Sequence, residues 1–191
     1  MAGAEETATA APAGRASMLP TALIFGAWVV LAIVFAASSS WYAAFMAVHV
    51  IFVVVWIGGG ALLTIFGVLA ERQSDGEQLA TLAKMAAFAG ERIFAPAGLV
   101  VVAMGIAMVL DAHLGFGHFW IIFGLLGFLA TFLIGVGVLA PASKKVTALL
   151  AERGPSDPEV QAQINRILLI ARADIAMLLL VVVDMVTKPF S

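Results

Sequence analysis

Cysteine is absent from this chain. That removes disulfides, thiolate metal sites and cysteine nucleophiles, and it leaves the redox compartment undefined. Charge is scarce. Asp, Glu, Lys and Arg together make up 12% of the residues, against about 25% in ordinary globular chains. The net charge is −2, so no basic excess points to nucleic acid. Imidazole is limited to His49, His113 and His118. The P-loop, G-x-G-x-x-G, G-x-S-x-G and H-E-x-x-H patterns are all missing, which leaves hydrolytic and nucleotide-driven chemistry without a motif.

What the chain does have is apolar surface. Hydrophobic residues make up 63% of its 191 positions, and the mean hydropathy is +1.09. A soluble domain of this size has too much surface for its volume to hide so many apolar side chains. The solvent is therefore lipid, and the lipid bilayer is the first expected partner. Crossing about 30 Å of hydrocarbon takes roughly 20 helical residues. Five runs qualify: Met18–Ala37, Trp41–Ala70, Ile93–Leu110, Phe119–Ala140 and Ile167–Thr187. The dyad alternation of a membrane barrel is missing, and lipid-facing backbone must be paired within its own segment, so the runs are expected to be helices. The expected fold is an all-α polytopic membrane bundle of about five transmembrane helices. Residues 1–17 read as a disordered cytoplasmic tail. Residues 18–37 form an extra N-terminal transmembrane helix, and 41–190 a four-helix membrane domain. Arg15 before the first run and "FAASSS" after it also fit a cleaved signal, but the run is longer than the usual 7–15-residue signal core. The expectation is a retained helix.

Basic residues orient the chain. Arg72, Lys84 and Arg92 lie between or beside helices two and three. Lys144, Lys145, Arg153 and Arg166 lie between helices four and five, and Arg15 lies in the tail. The turns at Ser38–Ser40 and Asp111–His118 carry none, and Lys188 near the C-terminus is the single exception among the ten basic residues. The positive-inside rule then places the N-terminus in the cytoplasm and the C-terminus outside, in the cell (inner) membrane. The loops on the basic side are expected to be partly helical. Leu79, Leu82, Ala86 and Ala89 recur at helical spacing. Pro96 is expected to kink helix three. Asp157 followed by Pro158 reads as a helix start. Gly60 and Thr64, and Gly127, Thr131 and Gly135, offer small-residue faces for helix packing and for a homo-oligomer.

The chemistry-bearing candidates fall into three groups. His49 lies about 12 Å along helix two from Trp41, on one face with Phe52, Val53, Trp56 and Gly60. Metal or haem ligation, proton relay and a plain hydrogen bond to a neighbouring helix all remain open for it. The second group, Asp111, His113 and His118, forms D-x-H-x4-H in a Gly-containing turn; this is a weak metal pattern or a solvated turn. Asp184 is placed to meet Lys188 at i+4 or to reach His49. The third group comprises Arg172 and Asp174, two residues apart on different faces. Asp174 needs a partner from another helix, for which Arg92 is the candidate. Glu91 is matched with Arg166 or Arg172.

The stretch "HVIFVVVWIGGG", the ending "RADIAMLLLVVVDMVTKPF" and the central "FLIGVGVLAPASKK" together resemble the bacterial integral membrane proteins catalogued as domain of unknown function 2269. The resemblance spans Trp41 to Phe190. That family has no established activity, so it implies a class rather than a reaction. More distantly, the His-to-Gly stretch is similar to the first helix of the HemJ type of protoporphyrinogen oxidase and of the CopD type of copper-resistance membrane protein. Those resemblances imply haem b, or copper, at His49. They carry over to His49, Trp56, Gly58 and Gly59 alone, and imply no other cofactor. With the helical face of His49, the expected cofactor-facing residues are Trp56, Gly59 and Gly60, and Asp184 is a candidate supporting carboxylate. Two functions follow as expectations. One is a haem- or porphyrin-associated redox protein. The other is a non-enzymatic membrane protein for transport, copper handling or assembly. Whether the chain is an enzyme stays open.

Overall fold

The computed structural model describes residues 19–73 and 76–190. The expected tail, 1–17, lies outside the described residues. All regular structure among them is helical. The chain divides into two units, 1–39 and 40–191.

The first unit contains α1, Leu19–Ala37. It is apolar all round, with Phe25, Trp28 and Ile33 exposed. The hydroxyls of Ser38 and Ser39 donate to Phe35 O at 2.9 and 2.8 Å, closing its last turn.

The second unit contains four long helices: α2 (Trp41–Gln73), α3 (Gly76–Asp111), α4 (Phe119–Arg153) and α5 (Pro158–Thr187). Their starts follow local chemistry. Ser40 Oγ accepts from Ala43 N–H at 3.2 Å. Asp157 Oδ1 accepts from the N–H groups of Glu159 and Val160 at 2.8 and 3.3 Å, with Pro158 at the first helical position. These side chains satisfy amide donors that a helix start leaves free. At the far end of α5, Lys188 is left-handed, and its N–H donates to Asp184 O at 2.8 Å.

Length and composition let α2, α3 and α4 cross a membrane. The apolar part of α5 carries Arg172, Asp174 and Asp184. The 33 to 36 residues of α2–α4 measure about 50 Å at 1.5 Å per residue, well beyond the ~30 Å of hydrocarbon. The excess lies at the basic end of the bundle. There the expected loops are almost wholly helical: helix runs to Gln73 and again from Gly76, and the second connection shrinks to residues 154–157. A water-soluble type of core fills this end, built from Ala70, Leu79, Val146, Val160 and Ile164. At the opposite, turn end, α2 packs on α3 and α4 packs on α5. Contacts between the two pairs are sparser there.

All three long apolar helices contain a five-residue π-helical turn: Val54–Gly58, Gly90–Phe94 and Gly135–Leu139. The last two share a cause. Pro96 and Pro141 each follow the π turn by two residues. Proline has no N–H, and its ring clashes with the carbonyl four residues back. A widened turn relieves the clash, and one carbonyl of the preceding turn is left without its backbone donor. Pro96 was expected to kink its helix; the deformation takes this π form, a common one at such sites. The first π turn ends in the run Gly58–Gly60, where no side chains stiffen the backbone. The turn Gly90–Phe94 touches the other two, and α5 touches Val54–Gly58 and Gly135–Leu139.

Candidate functional site

The sparse contact between the two helix pairs leaves a cavity of about 330 Å³ in the turn-end half of the bundle. That volume lies at the low end of the range for small-molecule sites, roughly 300–1,000 Å³. Its walls are mostly apolar. Trp56, Val101, Trp120, Phe128 and Val181 contribute to them. Trp56 and Phe128 meet edge to face at 5.6 Å. The titratable side chains in the wall are Tyr42, His49 and Lys188.

His49 is half-buried, and its ring lies against Gly105 of α3. Its Nδ1 is 2.8 Å from Val101 O. A carbonyl only accepts, so Nδ1 carries the hydrogen, and in the neutral ring Nε2 keeps its lone pair. The same arrangement orients metal-bound histidines, where a backbone carbonyl often receives the second ring N–H. The carboxylate expected in that role, Asp184, does not fill it. Both Asp184 oxygens are buried without a hydrogen-bond partner, and the residue is 5% exposed. Lys188, the other expected partner, lies over the Trp120 ring at 5.0 Å. Val101 carries no signal of this role in the sequence, because the bond uses its backbone.

The glycines divide by position. A Cβ on Gly59 would come 2.7 Å from the Phe94 ring, and one on Gly60 would meet Ile175 Cδ1 at 3.2 Å; around Gly58 there is open space. Gly59 and Gly60 thus bring α2 against α3 and α5 and do not line the larger cavity. A Cβ on Gly127 would run into Val181 Cγ2, so that face also serves a contact within the chain. Asp111, His113 and His118 stay at the turn. His118 precedes α4 and stacks on Trp120 at 6.4 Å. No group of three or more His, Cys, Asp or Glu side chains is arranged to hold a metal ion among the described residues.

A second cavity, about 130 Å³, lies deeper, where the three π turns converge on α5. Trp56 and Leu178 stand in the walls of both cavities. The smaller one is lined by Thr64, Thr131, Ser143 and Asp174. Asp174 is 9% exposed, and its Oδ1 is buried without a hydrogen-bond partner. The expected Arg92–Asp174 pair does not form. Arg172 instead pairs with Glu71, 101 residues away, and Glu91 with Lys144 rather than Arg166 or Arg172. In each case the helix packing brings a different oppositely charged side chain within reach. Lys144 holds the Glu91 carboxyl below the usual carboxylate range, first by its hydrogen bond and then by its charge.

No curated protein and no solved structure matches the chain. One family model does, over residues 43–189, described as a predicted integral membrane protein (DUF2269). That span covers α2 to α5 apart from the first residues of α2, and takes in the Asp174 carboxylate and the lining of both cavities except Tyr42. The chain belongs to this family of integral membrane proteins.

Proposed function

We propose that the larger cavity binds a flat, lipophilic ligand of the tetrapyrrole class, with haem b the reading that fits best, and that His49 Nε2 holds its metal. The observation that carries this reading is the His49 Nδ1–Val101 O hydrogen bond in the wall of an apolar cavity. It fixes the imidazole in the tautomer that leaves Nε2 free, and holds the ring without a charged neighbour. The donor set fits the group in three respects. The walls are apolar and aromatic. Gly105 leaves the imidazole room. Lys188, at the turn end of the cavity, supplies a cation for a tetrapyrrole's carboxylates. Bound there, haem would supply one-electron chemistry. The chain's own part is to orient His49, exclude water through Trp56 and Phe128, and balance charge at Lys188.

The test is an absorption spectrum of the detergent-purified protein from haem-replete cells. A Soret band is expected, and it is lost in His49→Ala. A colourless wild-type preparation that also fails to take up added haemin refutes the reading. Copper handling is a second reading, favoured by a separate observation. The thioethers of Met46, Met108 and Met185 line the same cavity as His49, and thioether with imidazole is a soft ligand set suited to copper(I). Metal analysis of the same preparation separates the two, since stoichiometric copper without porphyrin supports the second.

A further inference from the structure

The smaller cavity has chemistry that the larger one lacks. Asp174 sits about 20 Å along α5 from Thr187, within the depth of a bilayer, where a charged side chain is costly without a partner. Its Oδ1 has none. The hydroxyls nearby do not supply one. Thr64 Oγ1 donates to Gly60 O at 2.9 Å, and Thr131 Oγ1 to Gly127 O at 3.0 Å. With their hydrogens committed to their own helices, these oxygens present only lone pairs to the cavity. The π turns before Pro96 and Pro141 border the same space. Residues of both turns line the cavity, Gly90 and Phe94 from one, Gly135 and Leu139 from the other. The space therefore holds one carboxylate and two threonine oxygens as acceptors, with the Ser143 hydroxyl and the Trp56 indole N–H as the side-chain donors in its wall. Among the described residues, no Lys or Arg side chain lines the cavity, and Arg172 pairs with Glu71 and Lys144 with Glu91.

We propose that this cavity is a binding site for an alkali cation of sodium's size, held by the carboxylate of Asp174 and the hydroxyl oxygens of Thr64, Thr131 and Ser143. Oxygen donors select hard cations, and the lining has no imidazole or thiolate to favour a transition metal. One carboxylate neutralises one monovalent charge; a divalent ion would stay half-compensated. A volume of about 130 Å³ leaves room for the ion and a few waters. Broken helix geometry beside a buried acidic group is also how membrane transporters build coupling-ion sites. The site stands independently of any ligand at His49.

The full chain, purified in detergent, is melted at constant ionic strength while sodium chloride replaces choline chloride. At five times the dissociation constant, sodium raises the midpoint by about 2–4 °C. Thr131→Val raises the half-saturating sodium concentration about fivefold or more, the loss of one oxygen ligand. Asp174→Asn abolishes the response, whereas Asp184→Asn, whose side chain does not line this cavity, keeps it. Equal midpoints for the wild type in sodium, lithium, potassium and choline salts overturn the proposal. So does an unchanged half-saturation in Thr131→Val, which decides the matter if Asp174→Asn fails to fold. A midpoint that follows pH but no alkali ion assigns the carboxyl to a proton and overturns it equally.

Discussion

The three consecutive glycines of α2 offer a sharp test of the packing. Gly58→Ala and Gly59→Ala are the same chemical change, one residue apart. Both remove backbone freedom from the unfolded chain and raise helix propensity, by up to about 1 kcal/mol. That contribution is common to the two variants and cancels in their difference. What remains is the environment of the added methyl. At Gly58 it enters open space; at Gly59 it comes 2.7 Å from Phe94 Cε1. That distance is well inside contact, and a planar aromatic ring can yield only by moving as a whole. Overpacking of this kind costs about 1–3 kcal/mol. Gly59→Ala is thus expected to be less stable than Gly58→Ala by about 1–3 kcal/mol, roughly 2–12 °C in melting midpoint for a chain of this size. Gly60→Ala falls between them, because its neighbour at 3.2 Å is the flexible end of Ile175. Thermal melts of the three variants in one detergent decide the order. Equal midpoints, or Gly58→Ala as the least stable, would refute the assignment of Gly59 to the α2–α3 contact.

Two further expectations concern the basic end. Asp157→Ala removes the side chain that caps α5 and is expected to destabilise the bundle by about 1 kcal/mol, read as a lower melting midpoint; Asp157→Asn restores most of it. The Glu91–Lys144 pair gives a pH dependence of known sign. The folded carboxyl titrates below its unfolded value, so its contribution is present above the ordinary glutamate pKa and is lost as pH falls through the lowered one. Both side chains are about half exposed, so the effect is small. Glu91→Gln should flatten the acid limb of the melting profile slightly and leave the midpoint at neutral pH nearly unchanged.

Much of the fold was legible from composition and local pattern. Apolar runs of bilayer length, the Asp157–Pro158 start and the interruption at Pro96 are properties of short segments, and each has a local physical cause. Part of the site was legible too, since His49 and Asp174 stand out as ionisable groups in apolar runs. Their partners did not follow. His49 bonds to a backbone oxygen that any residue at Val101 would present. Arg172 finds Glu71 rather than a neighbour on α3. Pro141 shares the offset of Pro96 from a π turn, a signal present in the sequence and readable in hindsight as a second interruption. Thr64 and Thr131 looked like packing residues; the cavity gives their oxygens a second use.

The division has a simple physical origin. With lipid as solvent, backbone pairing and apolar matching are settled within each segment, so the sequence by itself determined an all-α membrane protein, its helix starts and the residues whose burial is costly. Where two helices approach depends on the side chains of both and on the deformation each proline imposes. Only the tertiary structure could decide that His49 meets α3 in the wall of an apolar cavity, that three π turns converge, and that Asp174 lines the cavity there.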